Sequence, residues 1–169
     1  PAGFLKVLDE HTIAIGVSER TEPDAIEVLA KRLFREGEWQ IIIALNLPKQ
    51  RTFMHLDTVL TQVDIDKFVV HHEFIDNVDH FVIKPGLKPN ALRIIPYKEK
   101  LSKTLSKLLS RPIIFIPCGG NDSVASDREQ WNDGANTLAL GPGKVIVYAR
   151  NTITNDLLKS HGIEVIPIR

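Results

Sequence analysis

The sequence predicts a chain of mixed α and β structure assembled from a repeated strand–strand–helix–strand (ββαβ) unit. Short apolar runs bounded by polar turns have the period of strands, and longer stretches with an apolar stripe every three to four residues have the period of helices. The two kinds of segment follow one another in the same order three times within 169 residues. A single ββαβ unit cannot bury both faces of its sheet, so its repetition signals modules stacked or rotated against one another. Periodicity by itself goes no further than an α+β repeat protein.

The first unit spans about 4–46. Strands near 4–8 and 12–17 flank the polar turn Asp9-Glu10-His11, a helix follows near 23–36, and a strand closes the unit near 39–46. Thr21 is positioned to cap the helix, and Pro23 suits a first turn where a missing N–H costs nothing. Ile26, Leu29, Ala30 and Leu33 form its apolar stripe, and Gly37 can take the left-handed exit. The second unit, about 55–117, opens with strands near 55–63 and 67–71 around Asp64-Ile65-Asp66. An insertion at 72–96 with an extra strand near 80–83 interrupts it before a helix near 97–109 and a strand near 113–117. Pro112 enforces the helix stop. The third unit, about 137–168, has strands near 137–140 and 144–149 around Gly141-Pro142-Gly143, a helix near 152–160 and a strand from 163 to 168. The polar stretch between Gly119 and Asn136 is expected to be an ordered binding loop, because it is long and holds Trp131. No linker-like stretch divides the chain, which reads as one domain.

Composition excludes several functions. Lys plus Arg is 21 and Asp plus Glu is 21, so the net charge is zero, with no nucleic-acid footprint or membrane-surface patch. The densest basic run, Lys98, Lys100, Lys103 and Lys107, alternates with Leu101, Leu105, Leu108 and Leu109 as on the solvated face of an amphipathic helix. No apolar run approaches the roughly 20 residues that span a bilayer, and no signal-peptide pattern opens the chain. With a single cysteine there is no internal disulfide, and the reading is cytoplasmic.

His55 and Asp57 stand two residues apart on what reads as a strand, so both side chains would project from one face. An imidazole beside a carboxylate can transfer protons and hold a cationic substrate, or it can be a polar pair meeting water. Cys118 is a nucleophile candidate as the lone cysteine. It closes the apolar strand 113–117, however, where a cysteine commonly acts as a small buried hydrophobe. His71 and His72, adjacent on an extended strand, would point to opposite faces and hold no metal. Arg20 follows a strand at a helix start, a position that suits either ligand binding or a surface ion pair with Glu19. Gly119-Gly120-Asn121-Asp122 lacks the lysine and spacing of a phosphate loop.

Five segments, Gly16-Val17-Ser18-Glu19-Arg20-Thr21, Met54-His55-Leu56-Asp57-Thr58, Arg128 through Asn136, Tyr148-Ala149-Arg150-Asn151 and Gly162-Ile163-Glu164-Val165-Ile166, together resemble the later part of arginine deiminase. The residues from 72 to 96 resemble it least. The resemblance implies an α/β propeller (pentein-like) of five ββαβ units, three of them here. It also implies hydrolysis of L-arginine to citrulline and ammonia through a cysteine nucleophile and a covalent amidino intermediate. Carried over residue by residue, His55 becomes the acid/base histidine and Asp57 one of two aspartates gripping the guanidinium. Arg20 becomes the arginine on the substrate α-carboxylate, and Asn136 an asparagine contacting the amino-acid end. The family's nucleophile, its shuttle glutamate and its other aspartate fall outside these 169 residues. The chain is therefore expected to be an inactive piece of a longer, homo-oligomeric enzyme that uses no cofactor. Two alternatives stand beside this reading. An agmatine deiminase-like hydrolase would have no use for Arg20, since agmatine lacks an α-carboxylate, and a non-catalytic propeller-type binding module would have no use for the His55–Asp57 pair.

Overall fold

A computed structural model describes residues 3–50, 53–74 and 78–169. In chain order the elements are β1 (Leu5–Val7), β2 (Thr12–Val17), α1 (Pro23–Glu36), β3 (Ile41–Asn46), β4 (Leu60–Gln62), β5 (Lys67–Val70), β6 (His80–Pro85) and β7 (Leu92–Tyr97). There follow α2 (Leu101–Leu108), β8 (Ile114–Pro117), α3 (Ser123–Trp131), β9 (Leu138–Gly141), β10 (Lys144–Tyr148), α4 (Thr152–Ser160) and β11 (Glu164–Ile168). Contacts gather them into two compact units, one made of the residues up to Leu56 with Val78–Ser110, the other of the segment beginning at Asp57 with Arg111–Arg169.

The first unit is a five-stranded sheet in the order β1-β2-β3-β6-β7. β1 pairs antiparallel with β2, β2 parallel with β3, and β6 antiparallel with both β3 and β7. Alternate residues of β2 and β3 turn to one face, and there Ile13, Ile15, Ile42 and Ala44 meet Ile26 and Ala30 of α1, with Leu29 and Leu33 partly buried beside them. Truncating a fully buried Ile such as Ile26 costs about 2–5 kcal/mol, so this stripe is a main anchor of the helix. Pro23 occupies the first turn of α1 and Gly37 ends it with φ 84°. The cap differs from expectation: Glu22 stands at the N-cap and its side chain makes no capping hydrogen bond among the described residues. Thr21 is instead engaged in a tight turn, in which Ser18 and Thr21 exchange backbone bonds of 3.1 and 3.2 Å.

The insertion contributes two strands rather than one. β6 and β7 form a hairpin that extends the first sheet, registering His80 with Tyr97 and Pro85 with Leu92. β7 escapes sequence reading because Pro96 demotes the run, and proline is tolerated on an edge strand, which β7 is. On β6 the buried His80 contacts the Val78 carbonyl through Nδ1 and the Thr104 hydroxyl through Nε2, each at 2.8 Å, which ties α2 to the sheet. α2 starts later than the sequence suggests, leaving Lys98 and Lys100 outside it, and it buries Leu101 and Leu105.

In the second unit β4-β5-β8 and β9-β10-β11 are separate three-stranded sheets. Each joins an antiparallel pair to a parallel third strand, the pairing already seen in β1-β2-β3. Val63, Val69, Ile116, Cys118, Val145, Val147, Leu158 and Ile163 form the shared core. The stretch expected to be a loop contains α3, whose start is capped by the Asp122 carboxylate accepting from the Ala125 amide at 2.8 Å. Its helical period is invisible in the sequence because it buries the polar residues Ser126, Glu129 and Gln130, while Val124 and Trp131 are 76% and 77% exposed. Trp131 is thus not what orders the segment; hydrogen bonds are.

Candidate functional site

The His55–Asp57 motif is not on a strand. Met54 and His55 lie in a bend, Leu56–Thr58 is a 3-10 turn, and β4 begins only at Leu60. The apolar, β-branched run invites a strand reading, yet Leu56 and Val59 are both fully buried. Residues three apart fall on one side of a 3-10 turn, and here that side is the buried one. The common-face argument for His55 and Asp57 therefore fails. The division between the two compact units falls inside the motif, between Leu56 and Asp57.

On the first unit the motif is seated by Leu56. A Cβ on Gly16 would come within 2.8 Å of Leu47 Cδ1 and 3.2 Å of Leu56 Cβ, so glycine at the end of β2 lets the motif press onto the sheet. The Ser18–Thr21 turn leaves the same strand end and carries Arg20, which is exposed, with its amide donating to Ser18 Oγ at 3.2 Å. His55 is half-buried.

On the second unit Asp57 is held by its backbone. Its carbonyl accepts from Thr61 Oγ1 at 3.2 Å, and the next carbonyl, that of Thr58, accepts from Gln130 Nε2 of α3. Its side chain is different: Oδ1 is buried and has no hydrogen-bond partner among the described residues. Past α3 the chain turns through Asp133, at φ 58°, and Gly134, whose amide donates to the Glu129 carbonyl at 2.7 Å. A Cβ on Gly134 would lie 2.7 Å from Cys118 Sγ and 2.8 Å from that carbonyl, so no larger residue fits without a shift. Asn136 is exposed and leads into β9.

Glu129, unremarked in the sequence, anchors this region. Its buried carboxylate accepts from the Ile153 amide at 2.9 Å, the Thr154 amide at 2.8 Å and Thr154 Oγ1 at 2.6 Å, all at the amino end of α4. It thereby satisfies orphan amides of that helix with a charge that the helix dipole favours. Glu129 and Gln130 both lie within the segment that carries the resemblance, but nothing in their spacing distinguishes them from a solvated pair.

Cys118 is completely buried. Burial pushes its thiol up to about 11; the Thr154 hydroxyl beside it pulls the other way, and the Glu129 charge adds to the rise. A thiol held protonated at neutral pH is a poor nucleophile. The two histidines expected to diverge instead lie side by side, with ring centroids 4.5 Å apart and planes tilted by 32°, because the chain leaves β5 and enters a 3-10 turn at His72. Their ligand atoms and that of Asp127 lie within 4.8 Å of one another. His71 Nδ1 accepts from the Glu73 amide at 3.2 Å, which leaves the proton of a neutral ring on Nε2. His72 Nδ1 in turn lies 2.9 Å from Ser126 Oγ of α3. Burial, reinforced by His72 and opposed by Asp127, pushes the His71 imidazole down to about 4.

The backbone matches solved structures across almost its whole length. DDAH from Pseudomonas aeruginosa, complexed with citrulline, superimposes with a TM-score of 0.60 at 19% identity over 99% of this chain and 48% of that one. An amidinotransferase of the saxitoxin biosynthetic pathway from Microseira wollei gives 0.61 at 22% over 94% and 39%. At these identities the likeness is one of fold, the pentein type. The family model described as arginine deiminase matches residues 3–169, and the chain belongs to that family. Arginine deiminases from Bacillus cytotoxicus and Mycoplasma capricolum are 47% and 48% identical over 167 and 168 residues. The chain spans 40% and 41% of their lengths.

Proposed function

We propose that this chain is part of an arginine deiminase, which hydrolyses L-arginine to L-citrulline and ammonia. In this reading Asp57 grips the guanidinium, His55 transfers protons, Arg20 binds the α-carboxylate and Asn136 contacts the amino-acid end. The observation that carries it is the Asp57 oxygen buried without a partner. Leaving a buried polar group unsatisfied costs about 1–3 kcal/mol, a cost that a donor brought by the substrate would remove. A guanidinium brings a planar fork of N–H donors and a positive charge, which is what a carboxylate in that position lacks.

The covalent chemistry is assigned to a cysteine outside these residues, since Cys118 lacks both exposure and thiolate character. The thiolate attacks the guanidinium carbon, and the departing nitrogen takes a proton from His55 and leaves as ammonia. His55 then takes a proton from water, the hydroxide adds to the same carbon, and citrulline departs as the carbon–sulfur bond breaks. The three ββαβ units, about 4–46, 55–117 and 137–168, would be successive modules of a five-module propeller. The proposal is completed by a homo-oligomeric cytoplasmic enzyme with no cofactor; among the described residues no helix is long and apolar enough to cross a membrane.

The test uses the full-length protein. It should form citrulline from L-arginine, and Arg20→Lys should raise the KM for L-arginine far more than for agmatine, because lysine cannot give bidentate contact to a carboxylate. Equal effects on the two substrates would make Arg20 structural and remove the basis for choosing arginine over agmatine.

A further inference from the structure

The Asp57 turn is short, lies outside any sheet ladder and nevertheless has to hold a carboxylate oxygen in a buried, unsatisfied position. Two side chains hold it by its backbone. Thr61, 3% exposed on β4, donates its hydroxyl to the Asp57 carbonyl at 3.2 Å. Gln130, 8% exposed on α3, reaches across 72 residues of sequence to donate its amide to the Thr58 carbonyl. Its other amide atom, Oε1, is buried and has no hydrogen-bond partner among the described residues. A glutamine retained only for packing would have no reason to carry that cost, and an apolar side chain of the same length would avoid it. A polar side chain is kept here for the single bond that it donates to the turn.

α3 itself is tightly placed. Ser126 Oγ donates to the Cys118 carbonyl at 2.7 Å, and the Glu129 carboxylate is locked to the start of α4. Gln130 follows Glu129 directly, so its amide is presented from a framework with little freedom. Such outer contacts fix a binding group to within a fraction of an ångström, and their loss is felt at the site although they touch no substrate.

Resting on the proposed role of Asp57, we infer that Gln130 is a positioning residue for that carboxylate, with Thr61 as its partner on the neighbouring peptide. Gln130 fixes the Thr58 peptide and Thr61 the Asp57 peptide, so together they restrict the backbone dihedrals from which the carboxylate projects. Without the Gln130 bond the turn can rotate, and the carboxylate meets the guanidinium fork out of line.

A double-substitution cycle in the full-length protein tests this. Gln130→Met keeps the length and removes the donor; Asp57→Glu keeps a carboxylate but displaces it, leaving residual turnover to measure. A residue acting through Asp57 should lower kcat/KM for L-arginine about tenfold in the otherwise native protein and less than about twofold in Asp57→Glu, a non-additivity in the range of coupled neighbours. Thr61→Val, nearly isosteric, should show the same pattern, which keeps the test decisive if Gln130→Met fails to fold. Equal losses in both backgrounds, or no loss in either, would overturn the inference by making Gln130 structural or idle. Asp57→Ala assayed alongside separates the two levels: if it retains near-native turnover, the role of Asp57 itself is wrong.

Discussion

Asp57 and Cys118 show how differently two buried reactive groups can be treated. Cys118 is satisfied by its surroundings, packed by Gly134 and touched by the Thr154 hydroxyl at 3.6 Å, with its thiol held protonated. In the full-length protein, under the proposed activity, Cys118→Ala should therefore keep citrulline formation within a few-fold of native while costing about 1 kcal/mol of stability for the lost contacts. Loss of turnover with stability intact would make Cys118 the nucleophile. His55→Ala, by contrast, should slow turnover by about 100-fold or more through lost proton transfer. At this scale the identity of His55, Asp57 and Cys118 as the residues to weigh was legible in the sequence, and the burial of Cys118 followed from its place at the end of an apolar strand. The geometry of the pair was not legible. Thr58, Val59 and Leu60 suit a strand, and the 3-10 turn at Leu56–Thr58 is held by contacts distant in sequence, such as the Gln130 amide on the Thr58 carbonyl.

Elements held by polar contacts are the ones that sequence patterns miss. α1 and α4 carry apolar stripes and are found within a residue or two of expectation. α3 buries polar residues and is not found at all. Its dependence on Glu129 is measurable: Glu129→Ala strands the Ile153 and Thr154 amides and should lower unfolding stability by about 2–4 kcal/mol, read as a shift in urea midpoint. A shift below about 0.5 kcal/mol would mean that water replaces the carboxylate freely. The segment leaving β5 offers a second test. His71 titrates near 4 when folded and near 6.5 in the unfolded chain, so between these values the unfolded state binds the extra proton. Stability should thus be full above about pH 6.5 and fall as the pH drops toward 4, by up to about 3 kcal/mol from this group. Denaturant midpoints measured from pH 7.5 to 4.5 should fall less steeply in His71→Gln, and an unchanged slope would show that His71 is not the group responsible.

For the whole molecule, the antiparallel pair with a parallel third strand was readable because it is written in apolar period and turn residues, whereas α2 gathers with the first unit and not with β4, β5 and β8. The hairpin of β6 and β7 was half readable, since pairing with β3 is a long-range fact that no local window contains. The central claim is that the buried, unpartnered Asp57 oxygen is kept for a guanidinium and not for the fold. Asp57→Ala in the full-length protein tests it most directly, with citrulline formation and urea unfolding measured on the same sample. Removing an unsatisfied buried group should leave ligand-free stability unchanged or raise it by up to about 2 kcal/mol, while turnover of L-arginine falls by about 100-fold or more. Native-like turnover accompanied by a clear loss of stability would contradict the account and return Asp57 to the scaffold.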